Sequence, residues 1–286
     1  MLIQTSDLNS IKTLFKKFVL PKSNSHKGQN GKVLIIGGSS LFHAASLWSA
    51  EVASHFVDMV HYSSTIENEK IFHELKKTFR NGIIVPQSQL EHYAAEDDVI
   101  LLGPGMMRDG NEGKYTFEIT KKLIEKFSEK KFVFDAGALQ MMSPDLLLRL
   151  KNKAIITPHQ KEFERLFGIP VLDKPQNEKE IIVKETAKKY GVVILLKAII
   201  DIVSDGVTTY IIEGGNAGMT KGGTGDVMSS LCTSFYIQNN PLEAALFSSL
   251  LLKITAEELF KDSGYWYNVS DIIDGLPKTL NNLILK

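Results

Sequence analysis

The run Gly222-Gly223-Thr224-Gly225-Asp226 has the clearest chemical pattern in this chain of 286 residues. Successive glycines let backbone N–H groups point into one concavity, and the helical pattern that follows adds the positive end of a helix dipole. Such a loop is suited to binding phosphate. A carboxylate repels a neighbouring phosphate, so Asp226 is expected to serve there by removing a proton.

The same run also fits a structural interpretation. Aspartate is common in the first turn of a helix, and glycine-rich turns often precede helices. A glycine loop alone therefore does not decide between chemistry and capping. The decision depends on which other residues share its location.

Further candidate residues follow short apolar runs along the chain. Each run predicts a buried strand, and ligands of open parallel sheets bind at the carboxyl ends of the strands. The residues found at those ends include small ones that let a flat ligand approach, together with carboxylates and one lysine. They are Gly38, Ala45, Gly105, Asp135, His159, Glu162 and Lys197.

Each of these side chains has a structural alternative. His159 could cap the helix that follows it, and Glu162 could be the first-turn acid of that helix. Lys197 could extend into solvent, and Asp135 could cap a turn. Their joint placement at strand ends favours a site. The other histidines show no paired metal-ligand spacing, so a zinc site is not predicted.

Strand and helix patterns alternate along most of the chain, which predicts an α/β fold. Apolar runs that predict strands lie at 33–37, 99–103, 131–136, 154–157 and 192–197. Helical patterns lie near 43–56, 66–79, 114–129, 160–167 and 177–190. Strands that are apolar throughout indicate a mostly parallel central sheet with helices on both faces.

Two elements lie outside this alternation. Two β-rich runs within 199–213 flank Asp205-Gly206, which predicts an antiparallel hairpin. Apolar residues at helical spacing predict a short N-terminal helix at about 6–19. Because the chain has no linker-like or repetitive segment, a single domain over 1–286 is expected.

The composition restricts the classes of partner. Lys plus Arg and Asp plus Glu both number 33, so no overall charge attracts nucleic acid or an anionic membrane, and small-molecule ligands are expected. The single cysteine, Cys232, excludes an intramolecular disulfide and fits a reducing compartment. No signal-type or membrane-spanning apolar segment is evident, so a cytoplasmic protein is expected.

Taken together, the motifs resemble the ADP-dependent NAD(P)H-hydrate dehydratases, a ribokinase-like family of metabolite-repair enzymes. The resemblance runs from about residue 26 to about 260 and keeps the family's motif order. It is carried by HKGQNGKVLIIGGSSLFHAAS, LLGPGM, FVFDAGAL, IITPHQKEFERLFG, LLKA and NAGMTKGGTGDVMSSL. It implies a three-layer αβα fold and a carbon–oxygen lyase that restores NADH and NADPH from their hydrates, NADHX and NADPHX.

The resemblance also implies roles for individual residues. The hydrated nicotinamide is expected to contact Ala45, Gly105, His159 and Asp226, with Asp226 as the catalytic base. The adenine nucleotide, ADP or ATP, is expected to contact Lys197, Ala198, Ile199, Ile200, Asp201, Gly222, Gly223, Thr224 and Gly225. Glu162 falls where related kinases organise Mg²⁺ through water. The family pattern further implies a homotetramer that works with a separate NAD(P)HX epimerase.

The chain departs from the family pattern at several positions. Ala44, Ala45 and Ser46 stand where the family usually has glycine, alanine and proline. Met107 replaces a glycine, and Gly137 replaces a second aspartate. After Lys197, Ala198 replaces the usual glycine and Asp201 the usual threonine.

Two other functions remain open. A ribokinase-like kinase for a vitamin precursor or a sugar would use the same loop and aspartate and stop at the phosphorylated product. A non-catalytic nucleotide-binding protein is the second alternative.

Overall fold

A ten-stranded sheet forms the centre of the computed structural model, which describes residues 1–285. The strands are β1 (Leu2–Gln4), β2 (Lys32–Ile36), β3 (Met59–Ser63), β4 (Gly82–Ile84), β5 (Val99–Leu102), β6 (Lys131–Phe134), β7 (Ile155–Ile156), β8 (Val193–Leu196), β9 (Asp201–Ser204) and β10 (Thr209–Glu213). Their order across the sheet is β1-β10-β9-β8-β7-β6-β5-β2-β3-β4.

Eleven α-helices accompany the sheet in the described part of the chain. They are α1 (Leu8–Phe15), α2 (Ala44–Ser54), α3 (Ile66–Leu75), α4 (Leu90–Glu96), α5 (Gly110–Lys126), α6 (Ala136–Met141), α7 (Gln160–Phe167), α8 (Gln176–Tyr190), α9 (Thr224–Phe235), α10 (Pro241–Ser263) and α11 (Val269–Leu285). No helix among residues 1–285 is both long and apolar enough to cross a membrane.

The strands separate two apolar cores. Alternate residues of β2 point to opposite faces, so Val33 and Ile35 join one core while Leu34 and Ile36 join the other. Apolar side chains of α2, α9, α10 and α11 fill the first core, and those of α4 to α8 fill most of the second. This arrangement confirms the predicted three-layer αβα architecture, with the sheet covered on both faces.

Strand β9 gives the sheet its mixed character. It lies antiparallel to both of its neighbours, β8 and β10, while every other pair of adjacent strands is parallel. The hairpin predicted within 199–213 is therefore confirmed. The turn between β9 and β10 spans 205–208, and the Asp205 carboxylate caps it by accepting from the N–H groups of Val207 and Thr208.

Several elements differ from the predictions. The N-terminal helix occupies only Leu8–Phe15, because the chain then leaves it through tight turns in which Lys17 and Phe18 N–H donate to the carbonyls of Leu14 and Phe15. Val19 N–H donates to the Asn239 side chain. Strands β1, β3 and β4 were not predicted. Strands β1 and β4 contain only three residues each, and polar His61 interrupts the apolar pattern of β3.

Candidate active site

Five adjacent parallel strands end at one edge of the sheet, where the predicted site residues lie. These strands are β2, β5, β6, β7 and β8. The chain leaves each of them into a loop that carries one or more of the candidate residues. Parallel pairing therefore brings together side chains that are far apart in the sequence.

The glycine loop opens helix α9 as predicted. Gly223 is the N-cap of the helix and has a φ of 105°, in the left-handed region that favours glycine. A side chain at Gly223 would collide with the ring of Trp48. Asp226 follows in the first turn of the helix, beside the positive end of the helix dipole.

Lys197 lies at the centre of the site. Its Nζ donates to Asp135 Oδ1 at 2.7 Å, and only 18% of its side chain is exposed. Burial lowers the pKa of Lys197, but the carboxylates of Asp135 and Glu162 outweigh burial and raise the pKa above its usual value. Lys197 is therefore a largely buried cation paired with Asp135, and not the solvated lysine of the structural alternative.

Asp135 is held as the partner of this lysine. Its Oδ1 also accepts from the hydroxyl of Thr157 at 2.9 Å, and the side chain is almost completely buried. Its carboxylate makes no capping hydrogen bond to helix α6, which follows it. The alternative of a turn cap is therefore not what the structure shows.

The electrostatic surroundings change the acidity of Asp226. Burial, and then the neighbouring carboxylate of Asp135, raise the pKa of Asp226 to about 7, although the Lys197 ammonium opposes the shift. A carboxylate with a pKa in this range can accept a proton at neutral pH and later release it.

His159 and Glu162 form a reciprocal capping box at the start of helix α7. His159 Nδ1 accepts from the Glu162 N–H at 3.2 Å, and Glu162 Oε2 accepts from the His159 N–H at 2.9 Å. The backbone of His159 lies beside Lys197, while about half of the His159 side chain remains exposed. His159 therefore serves as a cap and still presents its ring at the site.

The loops after β2 and β5 form the other side of the site. Gly38 N–H donates to the Pro104 carbonyl at 2.7 Å, and a Cβ at Gly105 would lie 3.0 Å from the Cβ of Ala45. Ser49 connects this side to α9, because its hydroxyl contacts the carbonyls of both Ala45 and Asp226, at 3.0 and 3.4 Å. Ala45 and Gly105 thus lie close to the start of α9, which carries Asp226.

A cavity of about 560 Å³ opens beside Lys197. The loop after β8 forms one wall and the loop after β10 the other, with the start of α9 between them. Residues that line it include Lys197, Ala198, Ile199, Asp201, Gly214, Gly215, Thr224, Gly225 and Lys253. A pocket of this size accommodates a nucleotide. Of the residues expected at the nucleotide, Ile200, Gly222 and Gly223 are not among those lining the cavity.

The sequence analysis missed several residues that shape the site. Thr157 holds Asp135, and Gln140 donates to Glu162 Oε1 at 3.0 Å. Lys253 lines the cavity from helix α10. A signal for Lys253 was present, because it is a lysine at the end of the long apolar run 244–252. A charged residue so placed must find partners inside the protein.

Residues 1–285 contain no group of three His, Cys, Asp or Glu side chains that could hold a metal ion by themselves. Both oxygens of Glu162 already accept hydrogen bonds from protein groups. Such a site does not suit a cation that takes all of its ligands from the protein. It suits a hard cation that keeps most of its water ligands and takes the others from a nucleotide.

Comparisons with known proteins agree on one family. The family model for NAD(P)H-hydrate dehydratase matches residues 33–278. The ADP-dependent (S)-NAD(P)H-hydrate dehydratase of Nitrosopumilus maritimus is 33% identical over 275 residues, which is 91% of this chain and 92% of that protein. Other relatives are bifunctional NAD(P)H-hydrate repair enzymes, and the chain spans about half of their length.

Solved structures share the fold. A ribokinase-like superfamily protein of Enterococcus faecalis superimposes with a TM-score of 0.81 at 22% identity, covering 96% of this chain and 95% of that one. The ADP/ATP-dependent NAD(P)H-hydrate dehydratase of Bacillus subtilis, co-crystallised with ATP and Mg²⁺, gives a TM-score of 0.79 at 21% identity, covering 96% and 97%. The predicted ribokinase-like fold is therefore confirmed.

Proposed function

The chain belongs to the NAD(P)H-hydrate dehydratase family, and we propose that it uses ADP or ATP to convert hydrated NADH and NADPH back to the intact cofactors. The observation that carries the proposal is the placement of Asp226. This carboxylate has a pKa of about 7 and lies at the start of a helix, beside a buried lysine and a nucleotide-sized cavity. A base next to a phosphate site is suited to phosphorylating a hydroxyl group.

In the first step, Asp226 accepts the proton of the hydroxyl on C6 of the hydrated ring. The hydroxyl oxygen forms a bond to the terminal phosphorus of the nucleotide. The bond between that phosphorus and its bridging oxygen breaks, so ADP leaves as AMP or ATP as ADP. The N–H groups at the start of α9 stabilise the charge that spreads over the transferring phosphoryl oxygens.

In the second step, the phosphorylated ring loses phosphate. The ring nitrogen donates its electron pair as the bond between C6 and oxygen breaks, and loss of a proton from C5 completes the double bond of the dihydropyridine. Phosphate is a far better leaving group than hydroxide. The nucleotide therefore supplies the driving force, and the enzyme mainly positions the reactants.

The nucleotide fits the cavity beside Lys197. Its phosphates would lie against Gly225 and the Lys197 ammonium together, since these two groups are neighbours and a Cβ at Gly225 would be only 3.2 Å from Lys197 Nζ. The shared placement of Ala198 and Ile199 on the cavity wall supports their role at the adenosine. Glu162 would hold Mg²⁺ through water, and the ion would neutralise phosphate charge when bound.

The substrate ring fits the opposite side of Asp226. Ala45 and Gly105 offer no long side chains there, so a flat ring can approach the backbone closely. The side chain of His159 is about half exposed, and His159 lines the cavity beside Lys197. The small residues Ala45 and Gly105 support the assignment of the substrate side, and His159 would contact the substrate from the nucleotide side.

The proposal is tested by incubating the protein with hydrated NADH or NADPH, ADP or ATP, and Mg²⁺. We expect the absorbance of the dihydropyridine ring to return in step with release of one phosphate per ring. A phosphorylated ring that accumulates without regaining this absorbance would show a kinase. Absence of both products with every nucleotide would contradict the proposal.

A second expected result concerns pH. Because Asp226 acts as a base only when deprotonated, kcat/KM should rise about tenfold per pH unit below a midpoint near 7 and level off above it. Asp135→Asn should move the midpoint to lower pH, because the Asp135 carboxylate raises the pKa of Asp226. A pH–rate profile of both proteins checks this, and an unchanged midpoint in the variant would contradict the assignment.

Gly225→Val should weaken nucleotide binding at least tenfold, because a branched side chain would crowd Lys197 Nζ and the phosphate beside it. Titration with ADP and ATP measures this effect. The KM for the hydrated cofactor and the thermal midpoint of unfolding are the controls and should change little. Equal nucleotide affinity in a folded variant would show that the loop faces away from the phosphates.

We also propose that the protein acts in the cytoplasm as a homotetramer and together with an NAD(P)HX epimerase. The bifunctional relatives, of which this chain matches about half, support a link between two repair activities. Light scattering of the purified protein tests the tetramer.

A further inference from the structure

Lys253 is a buried lysine in the interior of helix α10, away from the reacting groups. Only 3% of its side chain is exposed. Its Nζ donates to the carbonyls of Ile199 at 3.0 Å and Gly214 at 3.2 Å, and it lies 3.6 Å from Asp201 Oδ2. The two carbonyls accept hydrogen bonds from the ammonium group, and the carboxylate is its ion-pair partner. The Lys253 ammonium group therefore interacts with groups of the protein itself.

Asp201, the partner of this lysine, is also buried. Its Oδ1 accepts from the N–H of Ala198 at 2.9 Å, and its Oδ2 accepts from the hydroxyl of Ser249 at 2.7 Å. The carboxylate thus holds Ala198 in the loop after β8, while Lys253 holds the next residue, Ile199. Together they fix the loop at two consecutive positions.

The partners of Lys253 belong to the two opposite walls of the nucleotide cavity. Strand β9 runs antiparallel between β8 and β10, so the chain returns to the same sheet edge and leaves it again at Gly214. The loop after β8 contributes Ala198 and Ile199 to one wall, and Gly214 and Gly215 form the other. A single ammonium therefore ties both walls together beneath the cavity.

The wall formed by Gly214 and Gly215 is also held in place by helix α10. Glu257, one turn after Lys253, accepts from the N–H of Gly215 at 2.7 Å, and Asn216 donates to the Ala256 carbonyl at 2.9 Å. The wall is thus attached to a rigid helix through several polar contacts. Among the described residues, Lys253 is the side chain that donates hydrogen bonds to both walls.

We propose that Lys253, paired with Asp201, is a positioning residue that sets the separation of the two walls and thereby the affinity for the adenine nucleotide. The inference rests on the proposed function, since it takes this cavity as the nucleotide site. Burying an ion pair is energetically costly, and a well-packed apolar pair of similar size would often stabilise the fold as well. Directed hydrogen bonds to both walls are what the charged pair adds.

The test replaces Lys253 by Met, which keeps the length and apolar character of the side chain. We expect Lys253→Met to raise the KM and Kd for ADP and ATP by about ten- to one-hundredfold. At saturating nucleotide, kcat and the KM for the hydrated cofactor should stay within about threefold of wild type. A purely structural role would instead reduce the active fraction and lower the rate at every nucleotide concentration.

Two further variants keep the test decisive if Lys253→Met folds poorly. Asp201→Asn retains an acceptor for the Ala198 N–H, and a smaller rise in nucleotide KM is expected. The double variant Asp201→Asn/Lys253→Met leaves no buried charge unpaired, so its loss of affinity should be smaller than the product of the two single losses. Lys261→Met, at an exposed lysine of the same helix, is the matched control.

The outcomes separate the two proposals. If Lys253→Met and the double variant bind nucleotide as tightly as wild type, the positioning role is overturned and the proposed function stays intact. No nucleotide binding by wild type overturns both. A loss of kcat equal to the loss in nucleotide affinity would assign Lys253 to catalysis and also contradict the inference.

Discussion

Asp226→Asn is expected to reduce turnover by about 10²–10⁴-fold while nucleotide binding stays intact or tightens. The amide cannot accept the hydroxyl proton, and it removes a negative charge from beside the phosphates. The residual rate should also lose the rise with pH around 7, because the titrating group is gone. Single-turnover measurements at saturating substrate, together with ADP and ATP titrations, measure both effects.

The matched control is Asp173→Asn, which makes the same chemical change at an exposed carboxylate before helix α8. It should leave rate and affinity unchanged. An Asp226→Asn variant that is folded and keeps more than about a tenth of the wild-type rate would show that another group accepts the proton.

Lys197→Ala should weaken ADP and ATP binding by about ten- to one-hundredfold, or roughly 1.5–3 kcal/mol, through loss of a charge-assisted contact to phosphate. It should also move the midpoint of the pH–rate profile upward, since the Lys197 ammonium is the cation that lowers the pKa of Asp226. The affinity for nucleotide and the pKa of Asp226 would therefore change together. A surface lysine would affect neither.

Lys184→Ala in helix α8, at an exposed position, provides the comparison. The thermal midpoint of unfolding should be measured for both variants, because removal of Lys197 leaves the buried Asp135 carboxylate without its ion-pair partner. If the folded Lys197→Ala variant binds nucleotide within about twofold of wild type, Lys197 does not contact phosphate. The assignment of Asp226 would then still stand on its own test.

The central strands could be predicted because their sequences are apolar throughout. The runs that became β2, β5, β6 and β8 have no charged residue in their buried part, and burial on both faces demands that pattern. Strand β3 was missed because polar His61 interrupts its apolar pattern, although His61 is buried in the fold and contacts Asp97 at 2.8 Å. A pairing between distant residues leaves no local pattern in the sequence.

In the site, too, local motifs could be predicted from the sequence and contacts between distant residues could not. The glycine loop and Asp226 form one short motif, so their proximity could be inferred from sequence. Lys197 and Asp135 could each be placed at a strand end, but their ion pair depends on the separation of two strands. Lys253 acts from a helix more than fifty residues after the loop it holds, with Ile199 as its partner. Its role follows only from the fold.

The reversal of β9 has a consequence for the nucleotide cavity. Because β9 carries the chain away from the site edge and β10 brings it back, both walls of the cavity come from one contiguous stretch, 197–216. The base and the substrate side come from other segments, around Ala45, Gly105 and Asp226. Under the proposed function, changes within this one stretch would alter the fit of the phosphoryl donor and leave the segments that carry Ala45, Gly105 and Asp226 unchanged.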